Sequence, residues 1–327
     1  MFIRIFRTTR LLPLILLVVI SAIMWIVSKS VSYDVVEANG MPLYDLVLML
    51  LGLLPDWAGM VLGFLLLSSQ AIHLNLVLNK HEVLFKQSWL PALMYLVLAG
   101  LLPPFLWIHP LLFVNSILIF VFDKIFSLYK NPAPLAPAFD SAFLLSLAAL
   151  FYLPAIVLFL LYFMCMIILR PFSWREWTVG LMGLFLPFFF AFLFYFLNDE
   201  LMPFYERVFV SGIKRQIDLS HFFNIKYTLS IIFVGLLFVL SLLRLQTNYF
   251  KNVTKARLIQ QLLVIMIPLC LLSVLVSRDE LLFRFSTLAL PLSVYLTYYF
   301  LSGKKIWVME LMFLLLLGSW AYNYFFI

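Results

Sequence analysis

The chain has 327 residues, of which 65% are apolar and only 11% charged, and its formal net charge is +7. Soluble domains carry about 25% charged residues, so this composition excludes a water-soluble fold. Its apolar runs are continuous rather than alternating, which excludes a membrane β-barrel and predicts an all-α, polytopic transmembrane helical bundle in one integral domain, 1–327.

The N-terminal MFIRIFRTTR is basic and precedes the apolar run 11–28. No small-x-small cleavage site follows, so this run reads as a retained first span that starts in the cytoplasm. The next connection, 29–56, carries Asp34, Glu37, Asp45 and Asp56. Within it LYDLVLMLLGLL, 43–54, is too short to cross and reads as an interfacial or re-entrant helix stopped by Pro55. Further spans are expected at 57–78, 89–108, 111–128, 177–197, 227–245, 258–277, 285–301 and 306–326, about nine full spans with the first. The amphipathic connection 198–226 fits an interfacial helix.

Lysine and arginine favour the cytoplasmic side of a membrane, so the net charge fits basic loops against anionic lipid and calls for no nucleic acid. The segment RLQTNYFKNVTKAR, 244–257, is basic without an acid and is placed inside. Counting spans from it, and from the basic start, puts both ends of the apolar segment 141–169 in the cytoplasm. Pro154 lies near its middle. Proline lacks an N–H and disfavours helix in the residue before it. The expected solution is a broken, re-entrant hairpin; the alternative is one long tilted helix and a miscounted span elsewhere. The C-terminus is then extracytoplasmic, in the inner (cytoplasmic) membrane.

Two constellations could carry chemistry on the outer side. Asp34 and Glu37 are spaced i, i+3 and share a face if helical. Either carboxylate could act as general base toward a hydroxyl, or hold a divalent cation, Mg or Mn, against phosphate; ordinary loop solvation is the alternative. Arg278 and Arg284 run against the inside-positive trend, and arginine's planar fork suits phosphate. The alternative is pairing with Asp279 and Glu280 and snorkelling to headgroups. Asp45 joins the substrate-binding candidates.

Elsewhere the signals are structural. No two of the four histidines share a helical face at metal-ligand spacing, and no metal site is expected. His73, with Gln70 and Asn75, reads as an interhelical hydrogen-bonding group. Asp123 and Lys124 read as a local pair or interface anchor. Cys165 and Cys270 read as small buried hydrophobes. Intramembrane charge is sparse, Glu310 being the main case, which counts against an ion-coupled transporter.

The segment 139–190, with PFSWREW at 171–177, resembles a family of uncharacterised inner-membrane proteins of Bacteroidota, which implies a cell-envelope setting. The overall organisation is similar to the GT-C superfamily of membrane glycosyltransferases. That likeness rests on the acidic first outer loop (29–56), the mid-chain hairpin (141–169), and a late outer basic residue, Arg278 or Arg284, followed by Pro291. It implies a transferase using a polyprenyl-phosphate-linked sugar, with Asp34, and Glu37 second, at the catalytic position. The competing readings are a non-catalytic scaffold or accessory subunit of an envelope or secretion complex, and a transporter of lipid-linked sugar. Membrane lipid is the expected partner in each.

Overall fold

The computed structural model describes residues 2–31, 41–106, 108–206, 225–276, 282–303 and 305–325. Among them are fourteen α-helices and no β-strand. In chain order they are α1 (Phe2–Phe6), α2 (Leu11–Val31), α3 (Pro42–Gly52), α4 (Asp56–Lys80), α5 (Leu90–Ala99), α6 (Pro110–Ser127) and α7 (Leu135–Phe151). There follow α8 (Phe159–Leu169), α9 (Trp174–Leu197), α10 (Leu201–Tyr205), α11 (Ile225–Asn248), α12 (Thr254–Val276), α13 (Ala289–Ser302) and α14 (Ile306–Phe325).

Hydrogen bonds and ring contacts sort the helix ends into two faces. At one face the Phe6 carbonyl accepts from the Trp89 N–H, and Arg7 donates to the carbonyls of Phe300 and Gly303 at the end of α13. Lys80 meets Asp123, Lys255 meets His81, and Arg170 donates to the carbonyls of Leu128 and Asn131. At the other face Tyr44 bonds the Ile108 carbonyl, His109 stacks on Phe283, and Asn323 and Tyr324 bond the carbonyls of Leu101 and Gly100. Among the described residues every lysine and arginine belongs to the first face except Lys29, Lys226 and Arg284. The first face is therefore the basic face.

Among the described residues six helices are long and apolar enough to cross a membrane: 57–80, 110–127, 174–197, 227–248, 254–276 and 306–325. The chain is a multi-pass membrane protein, with fewer full-length spans than the nine expected. Two of the expected spans are shortened for local reasons. The expected span 89–108 yields only α5, because the helix stops at Gly100 and Pro103–Phe105 forms a 3-10 turn. The expected span 285–301 begins as a 3-10 stretch, Leu282–Leu288, and becomes α-helical only at Ala289. The first expected span, 11–28, lies within α2, which is 21 residues long.

The two shortened helices, α5 and α13, pack on each other at the centre of the bundle, and every residue of α5 is buried. Non-helical backbone at membrane depth persists where protein buries it and side chains satisfy it. Here the Tyr324 hydroxyl donates to the Gly100 carbonyl (3.0 Å), and Asn323 donates to the Leu101 carbonyl (2.9 Å). The last helix thus caps the carbonyls that α5 leaves open.

The segment 141–169 is broken. Tyr152 has extended backbone (φ −151°, ψ 105°), and Leu153–Leu158 is a 3-10 stretch before α8. The reversal is visible from its ends: Arg170, just past α8, reaches the carbonyls of Leu128 and Asn131, just before α7. α9 then runs alongside α7. A Cβ on Gly183 would lie 2.7 Å from the Phe139 carbonyl oxygen, and one on Gly180 would strike the Tyr162 hydroxyl. Lipid tails supply no hydrophobic drive between helices, so such close backbone approach at small residues is what holds them together.

Candidate functional site

Four elements of the non-basic face meet around the start of α6. Pro110 opens that helix with the fixed φ that suits its first position. His109 is therefore the N-cap, and its Nδ1 accepts from the Leu112 N–H (3.1 Å). Its Nε2 donates to the Phe105 carbonyl (3.2 Å), so the ring closes the 3-10 turn and caps α6 at once. The ring is fully buried and stacks on Phe283, centroids 5.0 Å apart. Burial pushes its pKa down to about 4, against the bond to Phe105, which raises it.

Around this imidazole, α3 contributes Tyr44, whose hydroxyl donates to the Ile108 carbonyl (3.3 Å) and whose ring meets Phe113. The break after α7 contributes Tyr152, which sits edge-on to Phe283. The 3-10 stretch before α13 contributes Phe283, Arg284, Ser286 and Thr287, all buried. Arg284 is only 4% exposed. A buried guanidinium holds its charge, so it must face carboxylate, carbonyl or a ligand's anionic group.

The sequence-predicted residues fall as follows. Arg284 is at this corner, and Asp45 is half-buried on α3, next to Tyr44. Asp34, Glu37 and Arg278 lie outside the described residues, as does most of 198–226. Hydropathy and charge do not mark His109, Tyr44 or Tyr152 as site residues. The signal for His109 is its place immediately before a proline that opens an apolar run, the N-cap position of a helix.

The basic face is polar in a different way. Asp123 accepts from Lys80 (2.7 and 2.9 Å) and pairs with His81 Nε2 (2.8 Å), whose Nδ1 faces Lys255 Nζ (3.3 Å). Burial lowers the His81 pKa; the bond to Asp123 opposes this, and Lys255 adds to it. Lys124 pairs with Asp140 (2.7 Å). Asp123 and Lys124 are therefore not a local pair: each ties α6 to a different element. His73 packs against Phe120, centroids 4.3 Å apart, rather than joining Gln70. Gln70 instead takes the Tyr95 hydroxyl (2.7 Å) and donates to Ser116 (2.7 Å) and the Leu112 carbonyl (2.6 Å). Cys165 and Cys270 are buried free thiols. Among the described residues no three His, Cys, Asp or Glu side chains gather as metal ligands.

Comparison with known protein families, characterised proteins and solved structures finds no match to this chain.

Proposed function

We propose that the chain is a GT-C-like glycosyltransferase of the inner membrane, with its basic face in the cytoplasm and its chemistry at the opposite face. The observation that carries this reading is the burial of Arg284 where α3, the His109 turn and the break at Tyr152 converge. A polyprenyl-phosphate-linked sugar would enter laterally, its phosphate held by Arg284 with Arg278. The acceptor hydroxyl attacks the anomeric carbon and loses its proton to the Asp34 carboxylate. The anomeric C–O bond to phosphate breaks, and polyprenyl phosphate leaves with the electron pair. Glu37 and Asp45 would position the acceptor. Any Mg or Mn ion would take its ligands from these three acids.

The test supplies membrane vesicles bearing the full chain with a panel of radiolabelled polyprenyl-phosphate hexoses and follows release of polyprenyl phosphate. Asp34→Asn should cut release by at least 100-fold while the protein stays folded. No release by the unmodified protein across the panel, or equal release by the variant, overturns the proposal. The second reading is the non-catalytic scaffold. It is favoured by α9, where only 17% of the spanning window is buried and Phe185, Phe189, Phe192 and Phe196 stand exposed. A scaffold would tolerate Asp34→Asn in assembly. A transporter would move the lipid without covalent change.

A further inference from the structure

The PFSWREW segment, 171–177, plays no part in the chemistry above, yet it builds a defined site at the basic face. A cleft of about 490 Å³ lies between Pro132–Ala136 and the turn from α8 to α9, lined also by Arg170, Ser173, Arg175 and Glu176. Its floor is fixed. Arg170 Nε lies 2.8 Å from Glu176 Oε2, an ion-pair distance without hydrogen-bond alignment, and both side chains are largely buried (15% and 8% exposed). Arg170 Nη1 is spent on the carbonyls of Leu128 and Asn131, while Nη2 has no partner among the described residues. The Arg175 guanidinium has none either, and it is exposed at the cleft.

Charge then decides the class of occupant. Two arginines against one glutamate leave a single uncompensated positive charge. α7 and α9 also begin here, and neither helix has a side-chain N-cap bond, so their N-termini add positive potential. One net positive charge beside two helix starts matches a singly charged phosphodiester. The setting is a membrane surface: Phe172 and Trp174, on either side of Ser173, are 74% and 72% exposed, the behaviour of aromatic anchors at the headgroup level.

We propose that this cleft is a binding site for an anionic phospholipid headgroup of the leaflet at the basic face. Arg175 and the free Nη2 of Arg170 hold the phosphodiester, and Phe172 and Trp174 lie along the acyl chains. The proposal is independent of the sugar-transfer reading, which concerns the other face.

The experiment uses the full chain in neutral detergent and counts bound lipid by native mass spectrometry during titration with phosphatidylglycerol. Arg175→Gln removes one exposed guanidinium without touching the buried ion pair. It should weaken phosphatidylglycerol retention about fivefold, the value of one basic side chain at an anionic surface. Lys305→Gln, a basic-face substitution remote from the cleft, should leave retention unchanged. Equal retention in Arg175→Gln and the unmodified protein overturns the proposal. An equal loss in Lys305→Gln also overturns it, because binding would then be diffuse surface attraction. If inorganic phosphate at millimolar concentration displaces the lipid completely, the occupant is a soluble phosphate and the lipid assignment falls.

Discussion

His109 offers the sharpest test of how the non-basic face is built. Its Nδ1 lone pair takes the Leu112 N–H, so the cap exists only while the imidazole is neutral. Burial lowers its pKa from 6.5 to about 4. The unfolded chain therefore binds this proton at a higher pH than the folded one does. The stability the group contributes is fully present above pH 6.5 and is lost as pH falls from 6.5 toward 4. At 1.36 kcal/mol per unit, the loss reaches about 3 kcal/mol. His109→Asn keeps an oxygen acceptor at the N-cap but gives up the bond to Phe105 and the stack on Phe283. At pH 7.5 that substitution should cost about 1–3 kcal/mol.

The two effects have opposite pH dependence, so the curves converge. At pH 7.5 the unmodified protein should melt several degrees above His109→Asn; near pH 4.5 the gap should close or reverse. The two buried thiols, Cys165 and Cys270, supply the assay, since a thiol-reactive dye reports their exposure on unfolding. His81 titrates in the same direction, so acid lowers both melting points, and only the difference between them is diagnostic. A gap that stays constant from pH 7.5 to 4.5 refutes the neutral-cap account.

Two further substitutions probe the membrane interior. Asn323→Leu should uncap the Leu101 carbonyl and lose the bond to Ser230 (3.0 Å), costing about 1–3 kcal/mol; an unchanged melting point would mean the broken end of α5 does not depend on α14. Gly183→Val brings side-chain atoms against the Phe139 carbonyl and Ala142 and should separate α7 from α9. Its expected readout is aggregation on size exclusion, whereas Gly318→Val, with open space around it, should run as the unmodified protein.

Hydropathy made the existence of the helices legible, because a bilayer demands long apolar stretches whatever else the fold does. It was blind to where a long apolar run stops being a helix. Pro154 was readable because it sits alone in the middle of a run with conflicting ends, and the break falls just before it, at Tyr152. The break at 100–105 carries equally local marks, Gly100 and the pair Pro103–Pro104, but they lie inside an apolar run of spanning length that masks them. Apolar content alone cannot distinguish lipid from protein as the neighbour of an exposed carbonyl. That depends on Asn323 and Tyr324, more than 200 residues away, arriving to bond it.

The same logic separates the two faces as places for chemistry. At the basic face several charges are paired across elements: Lys80 and His81 on Asp123, Lys124 on Asp140, Arg170 on Glu176. These pairs bind the loops of α4, α6, α7 and α9 to one another, and the cleft beside Arg175 keeps a positive charge to offer. At the other face, aromatic stacking and backbone capping by His109, Tyr44 and Phe283 do that structural work. The helices there end early, so a guanidinium, Arg284, can sit buried within the depth where α5 and α13 are interrupted. A charge in that position is costly unless something anionic meets it. That cost makes the identity of what faces Arg284 the question on which the function turns: Arg284→Lys keeps the charge but loses the planar fork, so it should weaken recognition of a lipid phosphate while leaving the helices assembled.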